Sequence, residues 1–137
     1  MNRLQYSGLA AFAMMACGGA IAQDGGGLAR PNLVLKQIVD GMPKGDRQEI
    51  SVLTASFRPG DRTVFHTHRF PVAVYVLEGV FTLDLDGRDP VEVKAGEAFF
   101  EPAHVKMTGY NRSASDGLKV VIFYVGEPGT PFLDAAH

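Results

Sequence analysis

Short stretches of alternating apolar and polar residues follow one another along most of the chain, separated by glycine, proline and aspartate. The alternation is clearest in EISVLTASF at 49–57. A period of two is typical of a half-buried β-strand. Further strands are predicted at 33–39, 63–68, 72–77, 80–85, 91–94, 98–101, 105–110 and 118–125. Their regular spacing predicts an all-β sandwich or barrel in one domain.

Turn-forming residues support this prediction. The chain contains 16 glycines and 8 prolines, which is many for 137 residues. Asp86-Gly87, between Leu85 and Val91, is the strongest hairpin signal. Beyond residue 22, no segment has a sustained helical period, so helices are not expected in the folded domain.

The first 22 residues have the layout of a secretory signal peptide. Arg3 precedes an apolar, alanine-rich run at 8–15, and Ala20-Ile21-Ala22 forms an A-x-A cleavage pattern. The alternatives are an N-terminal anchor or a buried helix, but the apolar run is shorter than a spanning helix requires. We therefore expect a periplasmic or secreted protein with no membrane span, a flexible lead-in at 23–32 and a folded domain at 33–137.

Cys17 is the only cysteine and lies inside the predicted leader. Cleavage after Ala22 removes it, which leaves a mature chain without disulfide, thiolate ligand or cysteine nucleophile. The sequence around Cys17 also permits lipoprotein acylation. That alternative is less favoured, because Met14 stands where such sites usually carry leucine.

Charge and motifs exclude several classes of function. The formal net charge is −2, and no basic stripe indicates binding to nucleic acid or to an anionic membrane. The sequence has no glycine-rich phosphate loop and no G-x-S-x-G nucleophile motif.

His66 and His68 are the most conspicuous chemical feature. They are two residues apart in a predicted strand, so both side chains lie on one face and reach one point in space. Imidazole pairs suit zinc, copper, iron or nickel. A single His-x-His is nevertheless a weak signal, because two buried histidines can also be satisfied by hydrogen bonds.

The residues around this pair resemble the two signatures of the cupin superfamily. The first signature is matched by Gly60, His66-Thr67-His68 and Tyr75-Val76-Leu77-Glu78-Gly79. The second is matched by Gly96, Pro102 and Asn111. The resemblance extends over about 51–125 and implies a cupin jelly-roll barrel, also called a double-stranded β-helix. It also implies a homodimer.

The resemblance is incomplete at the ligand positions. Metal-binding cupins supply a glutamate where this chain has Val72, and a third histidine where it has Met107. The glycine that usually follows the proline of the second signature is replaced by His104. Of four family ligands, His66 and His68 remain.

Two interpretations of this ligand set stay open. His66, His68 and Met107 can form a metal site, and because a thioether is soft it favours Cu(I). The expected cofactor is thus one transition-metal ion (Cu, Zn, Fe, Ni or Mn) or none. In the second interpretation Val72 and Met107 are core residues of a drier pocket, and the histidines are hydrogen-bonded remnants or recognise a ligand.

The predicted pocket surrounds the histidine pair. Glu101 is the nearest candidate for a replacement carboxylate, although its place before Pro102 favours a solvated turn residue. Phe132 and Leu133 are expected to pack against the barrel edge. Arg62 either points inward to clamp a carboxylate or lies at the rim, which is favoured. The predicted pocket residues are Arg62, Val64, Val72, Val74, Val76 and His104.

Three functions are consistent with these observations. The resemblance implies a metal-assisted enzyme that acts on a small organic molecule. A mostly apolar pocket with few polar groups equally suits a metal-free binding or sensing module. The third is a periplasmic copper-binding protein without turnover.

Overall fold

The computed structural model describes residues 26–137. The predicted signal peptide and Cys17 lie outside these residues, as do the first residues of the predicted lead-in. Residues 26–31 belong to an N-terminal unit and are exposed without regular secondary structure. Asn32–His137 form the second unit, to which everything below refers. Within the described range, no helix has the length and hydropathy that a membrane crossing requires.

Two antiparallel sheets make up this unit, which confirms the all-β prediction. One sheet has four strands in the order β1-β8-β3-β6, and the other has five in the order β5-β4-β7-β2-β9. The strands are β1 Glu49–Phe57, β2 His66–Thr67, β3 Val72–Glu78, β4 Val80–Leu85, β5 Val91–Lys94, β6 Ala98–Glu101, β7 Met107–Tyr110, β8 Leu118–Gly126 and β9 Asp134–Ala135.

The core lies between the two sheets and follows the period of two. Val72, Val74 and Val76 alternate along β3 with less buried neighbours, and Leu83 and Leu85 do the same on β4. Burial of each such side chain contributes about 1.5–3 kcal/mol relative to exposure. The long central strands therefore fix the barrel independently of the site.

Gly79 makes the tight connection between β3 and β4 possible. Its φ of 78° lies in the left-handed region, and a Cβ atom there would collide with the carbonyl oxygen of Gly117. A residue with a side chain meets both penalties, because the backbone is strained and the neighbouring backbone cannot move aside. The glycine of the predicted Glu78-Gly79 turn is thus structurally required.

Three strand predictions need correction. No strand forms at 33–39, where Leu33 and Ile38 are 73% and 95% exposed. The apolar composition of 33–39 alone is insufficient, because a strand also needs a hydrogen-bonded partner. The predicted strand at 63–68 shrinks to His66–Thr67, and that at 105–110 to Met107–Tyr110. The additional strand β9 was not predicted.

Candidate functional site

A small cavity of about 110 Å³ lies between the sheets next to the histidine pair. Its wall is mostly apolar, with polar groups gathered on one side. Because a water molecule takes up about 30 Å³ in the liquid, the space suits a molecule of only a few heavy atoms. The lining residues are Ala55, Phe57, Thr63, His66, His68, Val74, Phe81, Leu83, Glu101, Gly109, Val120, Ile122, Phe132 and Leu133.

His66 and His68 are both buried, with 4% and 1% of their surfaces exposed. The Nδ1 atom of His66 is 2.7 Å from the carbonyl oxygen of Val64, and that of His68 is 2.6 Å from the carbonyl oxygen of Phe132. A carbonyl oxygen only accepts hydrogen bonds, so we assign a proton to each Nδ1. In each neutral ring, Nε2 then carries a lone pair.

These lone pairs converge with a carboxylate. The two Nε2 atoms are 3.1 Å apart, and Glu101 Oε2 is 3.1 Å from His68 Nε2. Three acceptors this close repel one another in an apolar environment unless a proton or a cation lies among them. The arrangement therefore requires a shared proton or a cation among these three groups.

The position of Glu101 corrects the prediction of a solvated turn residue. Glu101 is the last residue of β6 and is only 5% exposed. It is the direct Cα partner of Val72 across the β3–β6 pair. Its carboxylate thus lies on the neighbouring strand, opposite the position from which metal-binding cupins supply theirs. A period of two running from Phe99, which packs against the core, is the sequence signal that identifies it.

Burial also affects the charge of His66. Removal from water lowers the pKa of His66, and the hydrogen bond to the Val64 carbonyl opposes part of this shift. His66 is consequently neutral at pH 7, and its Nε2 lone pair is available to a ligand.

The predicted pocket residues separate into two groups. Val74 lines the cavity, whereas Val72 and Val76 are buried in the core beside it. Met107 is fully buried as the Cα partner of His66 across the β2–β7 pair, but it does not line the cavity.

The remaining three residues lie away from the cavity. Val64 is 59% exposed, because residues 63–65 are not in a strand and the parity of His66 does not extend to them. Arg62 is exposed and forms an isolated bridge with Tyr110. His104 is exposed as well and lines a separate, open groove on the other side of Glu101, not this cavity.

The backbone at His104 explains the glycine that other cupins have there. Its φ is 61°, in the left-handed region that favours glycine. The amide of His104 donates a 2.8 Å hydrogen bond to the carbonyl of His68, which ties this loop to the site. The residue therefore supports the site through its backbone.

The prediction for Phe132 and Leu133 was incomplete. Phe132 and Leu133 line the cavity instead of packing only against the barrel edge. The Phe132 ring centroid is 4.9 Å from that of His68. No local pattern indicated this, because the contact joins residues 64 positions apart.

Similarity to known proteins shows the family to which the chain belongs. The cupin domain model matches residues 53–124, so the chain belongs to the cupin family. No curated protein matches this chain.

Several solved structures share the fold. An RmlC-like cupin from Shewanella frigidimarina is 26% identical, with a TM-score of 0.51 over 59% of this chain and 69% of that one. The polyketide cyclase RemF from Streptomyces resistomycificus is 25% identical, with a TM-score of 0.52 over 64% and 61%. The DMSP lyase DddQ from Ruegeria pomeroyi is 16% identical, with a TM-score of 0.55 over 64% and 43%. This chain thus spans less than half the length of the lyase, and that likeness shows the fold alone.

Cupins often bind a metal, and the donor chemistry of this site can be tested against one. Among residues 26–137, no group of three or more His, Cys, Asp or Glu side chains could hold a metal ion as the side chains are placed. The donor chemistry itself fits, because each imidazole presents Nε2 while a carbonyl accepts from its Nδ1–H, as in most histidine metal sites.

Proposed function

We propose that this protein is an exported cupin that holds one transition-metal ion with His66, His68 and Glu101 and acts on a small organic molecule in the adjoining cavity. The single observation that carries the proposal is that His66 Nε2 and Glu101 Oε2 each lie 3.1 Å from His68 Nε2, beside an apolar cavity. Two neutral imidazoles and one carboxylate suit zinc, iron, copper, nickel or manganese.

The chain's own residues prepare this chemistry. The carbonyls of Val64 and Phe132 fix the tautomer and orientation of the two rings, so that both Nε2 atoms face inward. The apolar walls exclude water, which strengthens electrostatic interactions inside the cavity. A metal ion bound there supplies Lewis-acid or redox chemistry to the small molecule beside it.

A metal-free binding module is the second candidate. Val72 and Met107 are fully buried core residues, as that interpretation expects. A second proton on His68, at Nε2, then takes the place of a metal ion, since it gives the ring a positive charge and Glu101 Oε2 and His66 Nε2 can each accept from it. In this case the cavity selects its ligand by size and by the polar groups alone.

Metal content of the purified full-length protein separates the two candidates. We expect one equivalent of Zn(II), Fe(II), Cu, Ni(II) or Mn(II) to remain after dialysis, measured by plasma mass spectrometry. Glu101→Gln and His68→Ala should lose it. The control Glu92→Gln changes an exposed carboxylate on β5 and should retain it. A wild-type protein that retains none of these ions contradicts the metal proposal.

A copper protein without turnover is the third candidate, and it depends on Met107. Met107 is directly across from His66, so its thioether requires only a local side-chain rearrangement to join the site. Met107→Leu should then weaken Cu(I) binding at least tenfold while Zn(II) binding is unchanged. Equal Cu(I) affinity in both proteins removes Met107 from the site.

Export is proposed from residues 1–22 and is tested by fractionation of the native host. The mass of the periplasmic or secreted protein should correspond to a chain that begins at Gln23. A lipidated chain that begins at Cys17 supports the lipoprotein alternative, and an intact chain in the cytoplasm contradicts export.

A homodimer is proposed from the outer face of the four-stranded sheet. Ile50 and Val52 on edge strand β1 are 71% and 62% exposed, and Phe123, the partner of Val52 on β8, is 46% exposed. A contiguous exposed apolar surface of this kind marks an interface more often than scattered residues do. Light scattering should give the mass of two chains. Val52→Lys should yield monomers, whereas Val64→Lys, at an equally exposed position outside this face, should not.

A further inference from the structure

The wall of the cavity has one part that is built differently from the rest. Seven apolar lining residues lie on strands β1, β3, β4 and β8, whose alternation buries them in the core. Phe132 and Leu133 are the two apolar lining residues that come from outside the strands. They belong to 131–137, here called the C-terminal segment.

The C-terminal segment contacts β2 and the residues that follow it through a small number of interactions. Strand β9 contributes two residues at the edge of the five-stranded sheet, where Ala135 pairs with His66. Asp134 receives two hydrogen bonds from Arg69, of 2.8 and 3.0 Å, and the side chains of Arg69 and Asp134 are 52% and 39% exposed. The buried anchors are the 2.6 Å hydrogen bond from His68 Nδ1 to the Phe132 carbonyl and the ring contacts of Phe132. They are fewer than the contacts of the core strands, and segments with few buried contacts open before the core does.

Phe132 is the residue of this segment that occupies space at the site. Its ring centroid is 4.9 Å from that of His68 and 5.6 Å from that of Tyr124, against which it is nearly perpendicular. The ring is therefore fixed between the polar end of the cavity and the core. A smaller side chain leaves the strands in place and enlarges the cavity toward the C-terminal segment.

We propose that Phe132 is the residue that determines ligand size, and that the C-terminal segment is the part of the wall that opens to admit the ligand. The proposal rests on the proposed function, because it concerns the ligand of the same cavity. It implies a class of ligand: a compact, mostly apolar molecule of a few heavy atoms, with one polar end toward His66, His68 and Glu101.

The test compares two neutral probes, pyrrole and indole, which share an N–H donor and differ by one fused ring. Binding is measured by NMR titration of the full-length protein in the presence of EDTA, so that the result is independent of any metal. Phe132→Ala should bind indole at least tenfold more tightly than the wild type and should change pyrrole binding less than threefold. The control Val80→Ala, at an exposed position on β4 outside the cavity and outside the proposed dimer face, should match the wild type.

An equal gain for both probes, or indole affinity equal to that of the wild type, overturns the role of Phe132. If Phe132→Ala does not fold, Phe132→Leu replaces it, with a smaller gain for indole expected. Asp134→Asn should speed pyrrole association at least twofold, and an unchanged rate overturns entry through the C-terminal segment. Metal bound at the site together with negative probe results leaves the proposed function standing and removes only this inference.

Discussion

The long central strands and the site differ in what determines the positions of their side chains. In the middle of the barrel, β3, β4 and β8 are long, and their alternation alone determines which side chains are buried. At the site, β2 has two residues and β6 has four, and Glu101, His66 and His68 meet through contacts between strands. The alternation of apolar and polar residues therefore determines the scaffold, whereas pairing between strands positions the residues of the site.

The largest effect on stability is expected at the tight connection between β3 and β4. Gly79→Ala should destabilise the fold by more than about 3 kcal/mol, because strain at positive φ adds to the collision with the backbone of Gly117. Gly87→Ala is the matched control, since its φ of 71° is similar but no atom lies within 4 Å of an added Cβ. Its cost should be about 1–2 kcal/mol. Urea denaturation measures both, and equal losses contradict the role assigned to the contact with Gly117.

An effect of intermediate size is expected on metal affinity when Glu101 is replaced. Glu101→Val should weaken metal binding by at least about a hundredfold, since a first ligand matters at least as much as its supporting groups. Val72→Glu in the same chain should restore most of the affinity, because the two residues are direct partners across β3 and β6. Isothermal titration with Zn(II) measures both proteins. A double variant as weak as Glu101→Val contradicts the equivalence of the two positions.

The smallest effect concerns the loop behind the site. His104→Gly should raise the free energy of unfolding by up to about 1 kcal/mol, because relief of left-handed strain exceeds the entropic cost of glycine. Metal affinity should stay unchanged, because the side chain is exposed and only the amide bonds to His68. Loss of metal in His104→Gly would show that the imidazole itself belongs to the site.

The sequence predicts the scaffold better than the site, for a physical reason. The strands 49–57, 80–85, 91–94 and 98–101 form at their predicted bounds, because burial of one face fixes register and orientation together. The segment 33–39 is rich in apolar residues but lacks a strand partner. Val64 shows the other limit, since parity from His66 fails where the strand ends.

The ligand set shows how far motif reasoning reaches. Comparison with the family signatures indicates that Val72 and Met107 are not the usual ligands, but it does not indicate what replaces them. A period of two from Phe99 places Glu101 on the inner face of β6, but its position opposite Val72 follows only from the register of β3 and β6. Phe132 reaches the site through a hydrogen bond across 64 residues, and a contact of this separation leaves no periodic trace in the chain.

X-ray absorption of the metal-loaded full-length protein tests directly whether His66, His68 and Glu101 hold the ion. We expect the ion to be surrounded by two imidazole nitrogens and one carboxylate oxygen from the protein, completed by light atoms, with no sulfur. Glu101→Gln should change this shell, and Glu92→Gln should not. A sulfur scatterer in the wild type, or a shell without imidazole, would contradict the assignment of His66, His68 and Glu101 as the site.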